Sequence, residues 1–357
     1  MTFFPHGGDV RGLAASLGCD PSEILDFSAS INPLGPPEWL RPVISASVSE
    51  LVHYPDPHCR ELIAAAAERH GVETSHLVAG NGTSELLFAL ALACGHTRAV
   101  VPVPSYCDYQ TAARRAGMDV TRMLLREADA FALDPGALSA CLRALPGPAA
   151  VFLARPNNPT GLNVDQETVR ALAAGHPGCL FVVDEAFGSF VEGFQTLMRD
   201  RPDNVAVLLS LTKMFAIPGL RLGLACMEEA LAEAVREAVA PWSVNTLAQA
   251  VGVKAMNDPD FEARSRAEAT RLREALARGL AALPGLTVYP GEANYLLCRL
   301  DGPLGASAPA LRGALLARRI AIRDCSNFVG LDQRFFRLAV RAQADNCLLY
   351  TSPSPRD

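Results

Sequence analysis

The sequence lacks several features that mark particular classes of protein. Its 32 lysines and arginines form no basic block and are outnumbered by 38 acidic residues, for a net charge of −6. A nucleic-acid partner is therefore not expected, because phosphate binding requires a basic face. No apolar run reaches membrane-spanning length, and the first residues do not join a basic segment to an apolar core, so neither a membrane partner nor a secretory signal is expected. The ten cysteines are scattered without a C-x-x-C pair, which favours reduced cytoplasmic thiols over a metal site or a disulfide framework.

The 357 residues are enough for one large and one smaller domain. Short apolar segments bounded by Pro, Gly or Asn indicate strands at 98–103, 149–154, 180–184 and 205–210. Amphipathic stretches between them, at 134–145 and 165–174, indicate helices. Strands that are apolar on both faces and alternate with helices predict a mostly parallel sheet covered on both sides, which is an α/β fold.

The pattern changes after about residue 245. Long helices are predicted over 245–283 with a break at Asn257-Asp258-Pro259, followed by strands at 286–289, 294–299, 320–323 and 335–340 and a helix near 308–318. We therefore predict an N-terminal arm with part of the small domain (1–44), a large domain (45–244) and a small α+β domain (245–345).

The last residues do not continue the pattern. From Cys347 onward the sequence has two prolines and no helical period. We interpret 346–357 as a non-native tail that packs poorly, similar to a translated assembly scar. An ordinary disordered tail is the alternative.

One lysine lies within an apolar segment, SLTKMFAIPGLRLG, at 210–223. Ser210 and Thr212 lie three and one residues before Lys213, and Arg221 lies eight residues after it. A lysine in apolar surroundings can be a neutral amine that attacks a carbonyl. Ser210 and Arg221 can bind a phosphate through charge-assisted hydrogen bonds. A solvated surface lysine is the alternative, which the apolar neighbours disfavour.

Two polar side chains follow neighbouring predicted strands. Asp184 ends the strand LFVVD, and Asn158 lies in the turn PNNPTG at 156–161. Ligands of α/β sheets bind at the carboxyl ends of strands, where an aspartate can pair with a protonated pyridine nitrogen. Taken alone, each has a simpler interpretation: Asp184 as a helix cap and Asn158 as part of a β-turn.

A glycine-rich turn, Gly82-Thr83-Ser84, leads into the apolar helix LLFALALA. Backbone N–H groups at a helix N-terminus form an anion site, so this turn can hold a phosphate. A simply capped helix is the alternative. Tyr106, after the strand RAVVPV, can stack on a planar ring.

In this order and spacing, these motifs resemble the fold-type I pyridoxal 5′-phosphate (PLP) enzymes of the aspartate aminotransferase superfamily, over nearly the whole chain to about 345. The resemblance implies that Lys213 holds PLP as a Schiff base and that the other residues bind its phosphate and ring. It implies a large domain with a seven-stranded-type sheet. It also implies a homodimer in which Tyr54 reaches the PLP phosphate of the other subunit.

Longer stretches resemble the threonine-phosphate decarboxylases within this superfamily, with the histidinol-phosphate aminotransferases as near relatives. They include DFSASINPLG at 26–35, LTVYPGEANYLL at 286–297 and RIAIRDCSNFVGLDQRFFRLAVR at 319–341. Phe187 also favours the resemblance to the decarboxylases, because many aminotransferases have a hydrogen-bonding tyrosine at this position. The resemblance assigns the substrate carboxylate to Arg337 and its phosphate to Arg323, with His6 and Asn32 assisting. Exposed ion pairs are the alternative for the arginines.

The implied reaction is decarboxylation of L-threonine O-3-phosphate to (R)-1-amino-2-propanol O-2-phosphate in cobalamin biosynthesis. A histidinol-phosphate-type aminotransferase is the alternative, because the bond that breaks at Cα depends on substrate orientation and not on residue spacing. A non-catalytic sensor fused to a DNA-binding module is a third hypothesis, but the short Gly/Pro-rich N-terminus has no helix-turn-helix segment.

Overall fold

The computed structural model describes residues 6–302 and 307–351, where helices and strands alternate for most of the length. The helices are α1 (Val10–Leu17), α2 (Leu40–Ser47), α3 (Arg60–His70), α4 (Thr83–Ala93), α5 (Cys107–Arg115), α6 (Pro135–Ala144), α7 (Gln166–Gly175), α8 (Leu211–Met214), α9 (Glu229–Ala238), α10 (Thr246–Met256), α11 (Pro259–Ala281), α12 (Ala308–Leu316) and α13 (Gln343–Thr351). The strands are β1 (Leu25–Asp26), β2 (Leu77–Gly80), β3 (Arg98–Val103), β4 (Asp119–Leu124), β5 (Ala150–Ala154), β6 (Leu180–Asp184), β7 (Val205–Ser210), β8 (Gly223–Cys226), β9 (Leu286–Val288), β10 (Tyr295–Leu300), β11 (Ile320–Ala321), β12 (Arg323–Asp324) and β13 (Phe335–Ala339). Within these ranges, no helix has both the length and the apolar character needed to cross a membrane.

The large sheet has seven strands in the order β2-β8-β7-β6-β5-β3-β4, and only β8 runs antiparallel to its neighbours. Alternate residues of the central strands enter two different apolar clusters: Phe181 packs in one and Val182 in the other. Because successive strand side chains point to opposite faces, the sheet is buried on both sides. The mostly parallel α/β fold predicted from the sequence is confirmed.

A second sheet, of four antiparallel strands in the order β12-β13-β10-β9, lies in the C-terminal part of the chain. Its register pairs Arg323 on β12 with Arg337 on β13. A two-stranded sheet joins the N-terminal arm to this region, because Leu25 pairs with Ile320. The arm therefore reaches the candidate site from the small-domain side.

Helix α11 connects the two cores. Near its start, Phe261 and Ala269 pack in the core of the large sheet, whereas Leu272 and Leu276 pack with the apolar side chains of the small sheet. Helix α10 also belongs to the large-sheet core, through residues such as Val251. The change of core thus falls inside α11, and the domain boundaries predicted from the sequence stay predictions.

The end of the chain differs from expectation. Helix α13 continues through Thr351, so the predicted loss of helical structure from Cys347 is wrong. Leu349 and Tyr350 are partly buried against the small-domain core, and the Tyr350 ring lies close to Gly279 of α11. Most helical stability in proteins comes from tertiary packing, and α11 provides that packing for the last turns of α13. Residues 352–357 of the predicted tail lie outside the described residues.

Candidate active site

The candidate site is a cavity at the carboxyl ends of β3, β5, β6 and β7, closed on one side by the small domain and the arm. Thirteen of the predicted residues line it together: His6, Gly82, Thr83, Ser84, Tyr106, Asn158, Asp184, Ser210, Thr212, Lys213, Arg221, Arg323 and Arg337. The fold thus brings together side chains from both ends of the sequence.

Lys213 lies in the short helix α8 directly after β7. Its side chain is half-buried in the cavity wall, and desolvation, assisted by the positive charges of Arg337 and Arg221, lowers its pKa to about 8. A substantial fraction of the amine is therefore neutral near physiological pH. This is the protonation state that a lysine needs in order to attack a carbonyl.

Asp184 lies at the end of β6, where two donors hold its carboxylate. The Tyr109 hydroxyl donates to Oδ2 at 2.7 Å and the Ala186 N–H donates to Oδ1 at 2.9 Å. Burial raises the pKa of Asp184, while the bond from Tyr109 and the charge of Lys213 oppose that rise. Tyr109 is a site residue that sequence reasoning missed. Its only signal was its position three residues after Tyr106 on a helix that begins at a strand end.

The turn Gly82–Ser84 forms the N-terminus of α4 and faces Arg221. Gly82 has a φ of 81°, and the Arg221 guanidinium occupies the space that a Cβ at Gly82 would need. Gly223 approaches equally closely, since a Cβ there would lie 2.5 Å from the Thr83 nitrogen. The Ser210 and Thr212 hydroxyls lie 2.8 Å apart on the adjoining wall.

We call the turn Gly82–Ser84 together with Ser210, Thr212 and Arg221 the phosphate cup. It has the donors that a phosphate monoester requires: helix N–H groups, hydroxyls and one guanidinium. The residues around it also fit the rest of PLP. Asp184 supplies a carboxylate for a pyridine nitrogen, and Tyr106 supplies an aromatic face in the cavity wall. The Tyr106 ring is fixed by a 2.7 Å hydrogen bond from its hydroxyl to Asp108 and by an edge contact with Tyr109 at 5.5 Å.

Arg337 is buried on β13 and faces Asn158 across the cavity. Its Nη1 donates to the Asn158 Oδ1 at 2.5 Å, and its Nη2 donates to the Ser28 carbonyl at 2.9 Å. The Tyr295 ring lies beneath the guanidinium at 5.0 Å. Nε is buried and has no hydrogen-bond partner among the described residues, so this guanidinium keeps donor capacity for an anionic ligand.

Arg323 supplies a second buried guanidinium to the cavity, from β12. Nη1 donates to the Asp324 carbonyl at 2.7 Å and Nη2 to the Asn327 side chain at 2.9 Å, above the Phe328 ring. Burial lowers its pKa from the ordinary value, but an arginine remains charged. His6, on the arm, lies at the same end of the cavity, with its ring 5.6 Å from that of Tyr106.

The structure does not bring Asn32 into the cavity. Its amide nitrogen donates to the Met214 carbonyl at 2.6 Å and to the Ser265 hydroxyl at 2.7 Å, behind Lys213. Its backbone N–H donates to the Lys213 carbonyl at 3.1 Å. Long-range bonds use both amide protons here, and the predicted contact of Asn32 with substrate stays a prediction. Asn32 fixes the backbone that carries Lys213.

Tyr54 also lies outside the cavity of its own chain. Its side chain is 81% exposed and packs on the Trp242 ring, with ring centroids 4.8 Å apart. A role in this subunit's own site is excluded by that position. The predicted role in a partner's site stays a prediction.

Comparisons with known proteins agree with this geometry. The sequence profile of the family described as aminotransferase class I and II matches residues 22–348. The chain is 38% identical over 351 residues to the threonine-phosphate decarboxylase of Salmonella typhimurium, covering 96% of this chain and 93% of that one. It is 34% identical to the adenosylcobalamin biosynthesis bifunctional protein CobDQ of Leptospira interrogans, covering 97% of this chain but only 40% of that relative.

The fold has close structural counterparts as well. The crystal structure of L-threonine-O-3-phosphate decarboxylase from Porphyromonas gingivalis superposes with a TM-score of 0.81 at 25% identity, covering 92% of this chain and 97% of that one. The chain therefore belongs to the aminotransferase class I and II family of pyridoxal phosphate enzymes, which confirms the fold class and the cofactor predicted from its sequence.

Proposed function

We propose that this protein decarboxylates L-threonine O-3-phosphate to (R)-1-amino-2-propanol O-2-phosphate and CO₂ in cobalamin biosynthesis. The observation that carries the proposal is the pair of buried arginines, Arg323 and Arg337, side by side on neighbouring strands at one end of the cavity. They suit a substrate with two anionic groups. The relative from Salmonella, named for this activity, is similar over almost the full length.

The two arginines bind chemically different anions. Arg337 keeps a buried donor unpaired, and the planar fork of a guanidinium matches a carboxylate. Arg323 and His6 line the same cavity, so a guanidinium and an imidazole are both available to a phosphate there. Binding at both ends fixes the rotation of the substrate about its Cα, which decides which Cα bond can break.

The remaining residues bind the cofactor and move protons. When bound, PLP supplies an electron sink for the pair left behind by the broken bond. Asp184 would pair with the pyridine nitrogen, the Asn158 amide would donate to the phenolic oxygen, and the turn Gly82–Ser84 would bind the phosphate. The Lys213 amine, with its pKa lowered to about 8, can accept or return a proton at Cα.

Incubation of the PLP-loaded protein with threonine phosphate tests the proposal. We expect the wild type to release CO₂ and to show the absorbance band of protein-bound PLP. Lys213→Ala should lose both. Arg323→Met should lower kcat/KM for threonine phosphate more than for an unphosphorylated analogue, and Arg334→Met, an exposed arginine near β13, is the matched control. Amino transfer from histidinol phosphate to 2-oxoglutarate without CO₂ release would establish the aminotransferase alternative.

We also propose a homodimer in which Tyr54 completes the partner's site. Its support is a cluster of exposed apolar residues around Tyr54, which includes Leu51, Val52 and Trp242. Large exposed apolar patches mark protein interfaces. Mixing Tyr54→Ala with Lys213→Ala subunits tests the arrangement, because a hybrid dimer then contains one intact site. Recovery of activity on mixing is expected, and two variants that stay inactive together would refute a shared site.

The ten cysteines lie in the described ranges and form no disulfide. Thiols in this state suit a reducing compartment, and we propose the cytoplasm as the location.

A further inference from the structure

Three potential metal ligands meet where the N-terminal arm crosses the first turn of α5. His6 lies on the arm, and Cys107 and Asp108 are the first two residues of the helix. One ligand atom from each side chain lies within 4.8 Å of the other two. All three residues are half-buried, so an ion from solvent can reach them.

Each pair of these side chains has a contact close to the spacing of metal ligands. The Cys107 sulfur is 3.7 Å from the Asp108 Oδ1 and 3.9 Å from the His6 Nδ1, and the His6 Nε2 is 3.5 Å from the same Oδ1. Tetrahedral Zn²⁺ with ordinary bond lengths places such ligand pairs about 3.4–3.6 Å apart. The two His6 distances involve different ring nitrogens; with one nitrogen alone, the three ligand atoms lie within 4.8 Å of one another. The His6 ring therefore has to turn for one nitrogen to reach the ion.

The second carboxylate oxygen of Asp108 is already held. The Tyr106 hydroxyl donates to Oδ2 at 2.7 Å, which leaves Oδ1 facing Cys107 and His6. A hydrogen bond to the outer oxygen of a ligating carboxylate is the arrangement that orients it for a metal.

The charges also balance. A thiolate and a carboxylate together neutralise a divalent cation, so the ion adds no net charge beside Arg323, whose guanidinium faces Cys107. Sulfur, imidazole and carboxylate ligands in one set favour Zn²⁺ over Mg²⁺ or Ca²⁺.

We propose that His6, Cys107 and Asp108 form a site for one Zn²⁺ ion, which ties the arm to α5 and inhibits the enzyme. Bound to the metal, His6 is no longer available to the phosphate end of the substrate cavity. The inhibitory part of this inference rests on the proposed function; the metal site itself does not.

Metal binding releases one proton from the site. Cys107 gives up its S–H proton to solvent as the sulfur–metal bond forms.

Titration of the chelator-treated holoenzyme with Co²⁺, followed by Zn²⁺ displacement, tests the site. We expect one equivalent of Co²⁺ to produce visible bands of a tetrahedral ion with a thiolate ligand, and Zn²⁺ to abolish them. Cys107→Ser and Asp108→Asn should weaken binding at least about tenfold. Cys141→Ser, at a half-buried cysteine on α6, is the matched control and should bind as the wild type does. Bands that persist in Cys107→Ser, or none at all, would overturn the site.

Steady-state kinetics test the consequence. Free Zn²⁺, held constant with a metal buffer, should raise the KM for threonine phosphate severalfold while leaving kcat nearly unchanged, and excess chelator should reverse the effect. Cys107→Ser should lose this sensitivity. Zn²⁺ binding without a change in KM would refute inhibition but not the site. Absence of decarboxylation in metal-free enzyme would instead refute the proposed function, with the Co²⁺ spectrum still deciding the site.

Discussion

The guanidinium of Arg155 and the carboxylate of Glu185 form a buried ion pair with Nη1 2.6 Å from Oε1 and side-chain exposures of 2% and 0%. The pair joins the ends of β5 and β6. Arg155 lies three residues before Asn158, and Glu185 follows Asp184 directly. Two further donors satisfy the carboxylate: the Thr196 hydroxyl at 2.6 Å and the Leu197 N–H at 3.0 Å. The pair thus holds two strand ends that carry cofactor-binding residues.

Breaking this pair should destabilise the protein strongly. Glu185→Gln leaves the Arg155 charge buried without a counter-charge, which typically costs about 3–5 kcal/mol of unfolding free energy. Urea unfolding followed by circular dichroism measures the loss. The double variant Arg155→Met/Glu185→Leu removes both charges and should recover most of it. Glu268→Gln, which breaks an exposed pair with Arg271, is the control and should cause no resolvable change. Equal effects at the buried and exposed pairs would contradict this account.

Gly223→Ala should weaken PLP binding. The added methyl would lie 2.5 Å from the Thr83 nitrogen and 2.9 Å from the Gly82 carbonyl carbon, so the backbone of the phosphate cup must move. Overpacking of this kind costs about 1–3 kcal/mol, or roughly five- to 150-fold in the dissociation constant if the cup bears the strain. Gly219→Ala is the matched control, because a methyl group there would meet no atom within 4 Å. Equilibrium titration of apoenzyme with PLP compares the two, and equal affinities would show that the cup is not the phosphate site.

The sequence was sufficient for the strands that carry the site. Segments 180–184 and 205–210 are apolar at every internal position, and β6 and β7 occupy the same residues. Strand β8 was missed, because its four residues, GLAC, are too few to show the alternation of a strand and directly follow a glycine-containing motif. The hydrogen bonds of Asn32 could not be predicted for a different reason. Its partner Ser265 is 233 positions away, and no local pattern indicates which of two polar environments an asparagine enters. Helix α13 depends likewise on packing against α11.

Covalent capture of PLP by the apoenzyme should accelerate with pH through about 8. The attacking species is the neutral Lys213 amine, whose pKa is lowered to about 8 first by burial and then by Arg337 and Arg221. Arg337→Met removes one repelling positive charge, which raises that pKa and moves the rate profile to higher pH. Stopped-flow absorbance after mixing with PLP gives both profiles, and the ratio of variant to wild type cancels the ionisation of PLP itself. Arg334→Met is the control. Identical profiles for Arg337→Met and wild type would show that Arg337 does not act on the amine.

His70 should make the fold labile to acid. It lies at the end of α3 between Arg69 and Arg199, its Nε2 is buried without a hydrogen-bond partner in the described chain, and burial lowers its pKa to about 4. An unfolded histidine has a pKa near 6.5. Between these values the unfolded chain binds the proton and the folded one does not. Stability is therefore complete above about pH 6.5 and decreases as the pH falls toward 4, by up to about 3 kcal/mol.

His70→Gln removes this titration. The unfolding free energy of the variant should then vary less with pH than that of the wild type over the same interval, even if its value near pH 7 is lower. Denaturant unfolding at several pH values measures the difference, in which the other titrating groups cancel. His58→Gln, at an exposed histidine, is the matched control. Parallel curves for His70→Gln and wild type would mean that the imidazole is solvated in the folded state, so that charging it costs no stability.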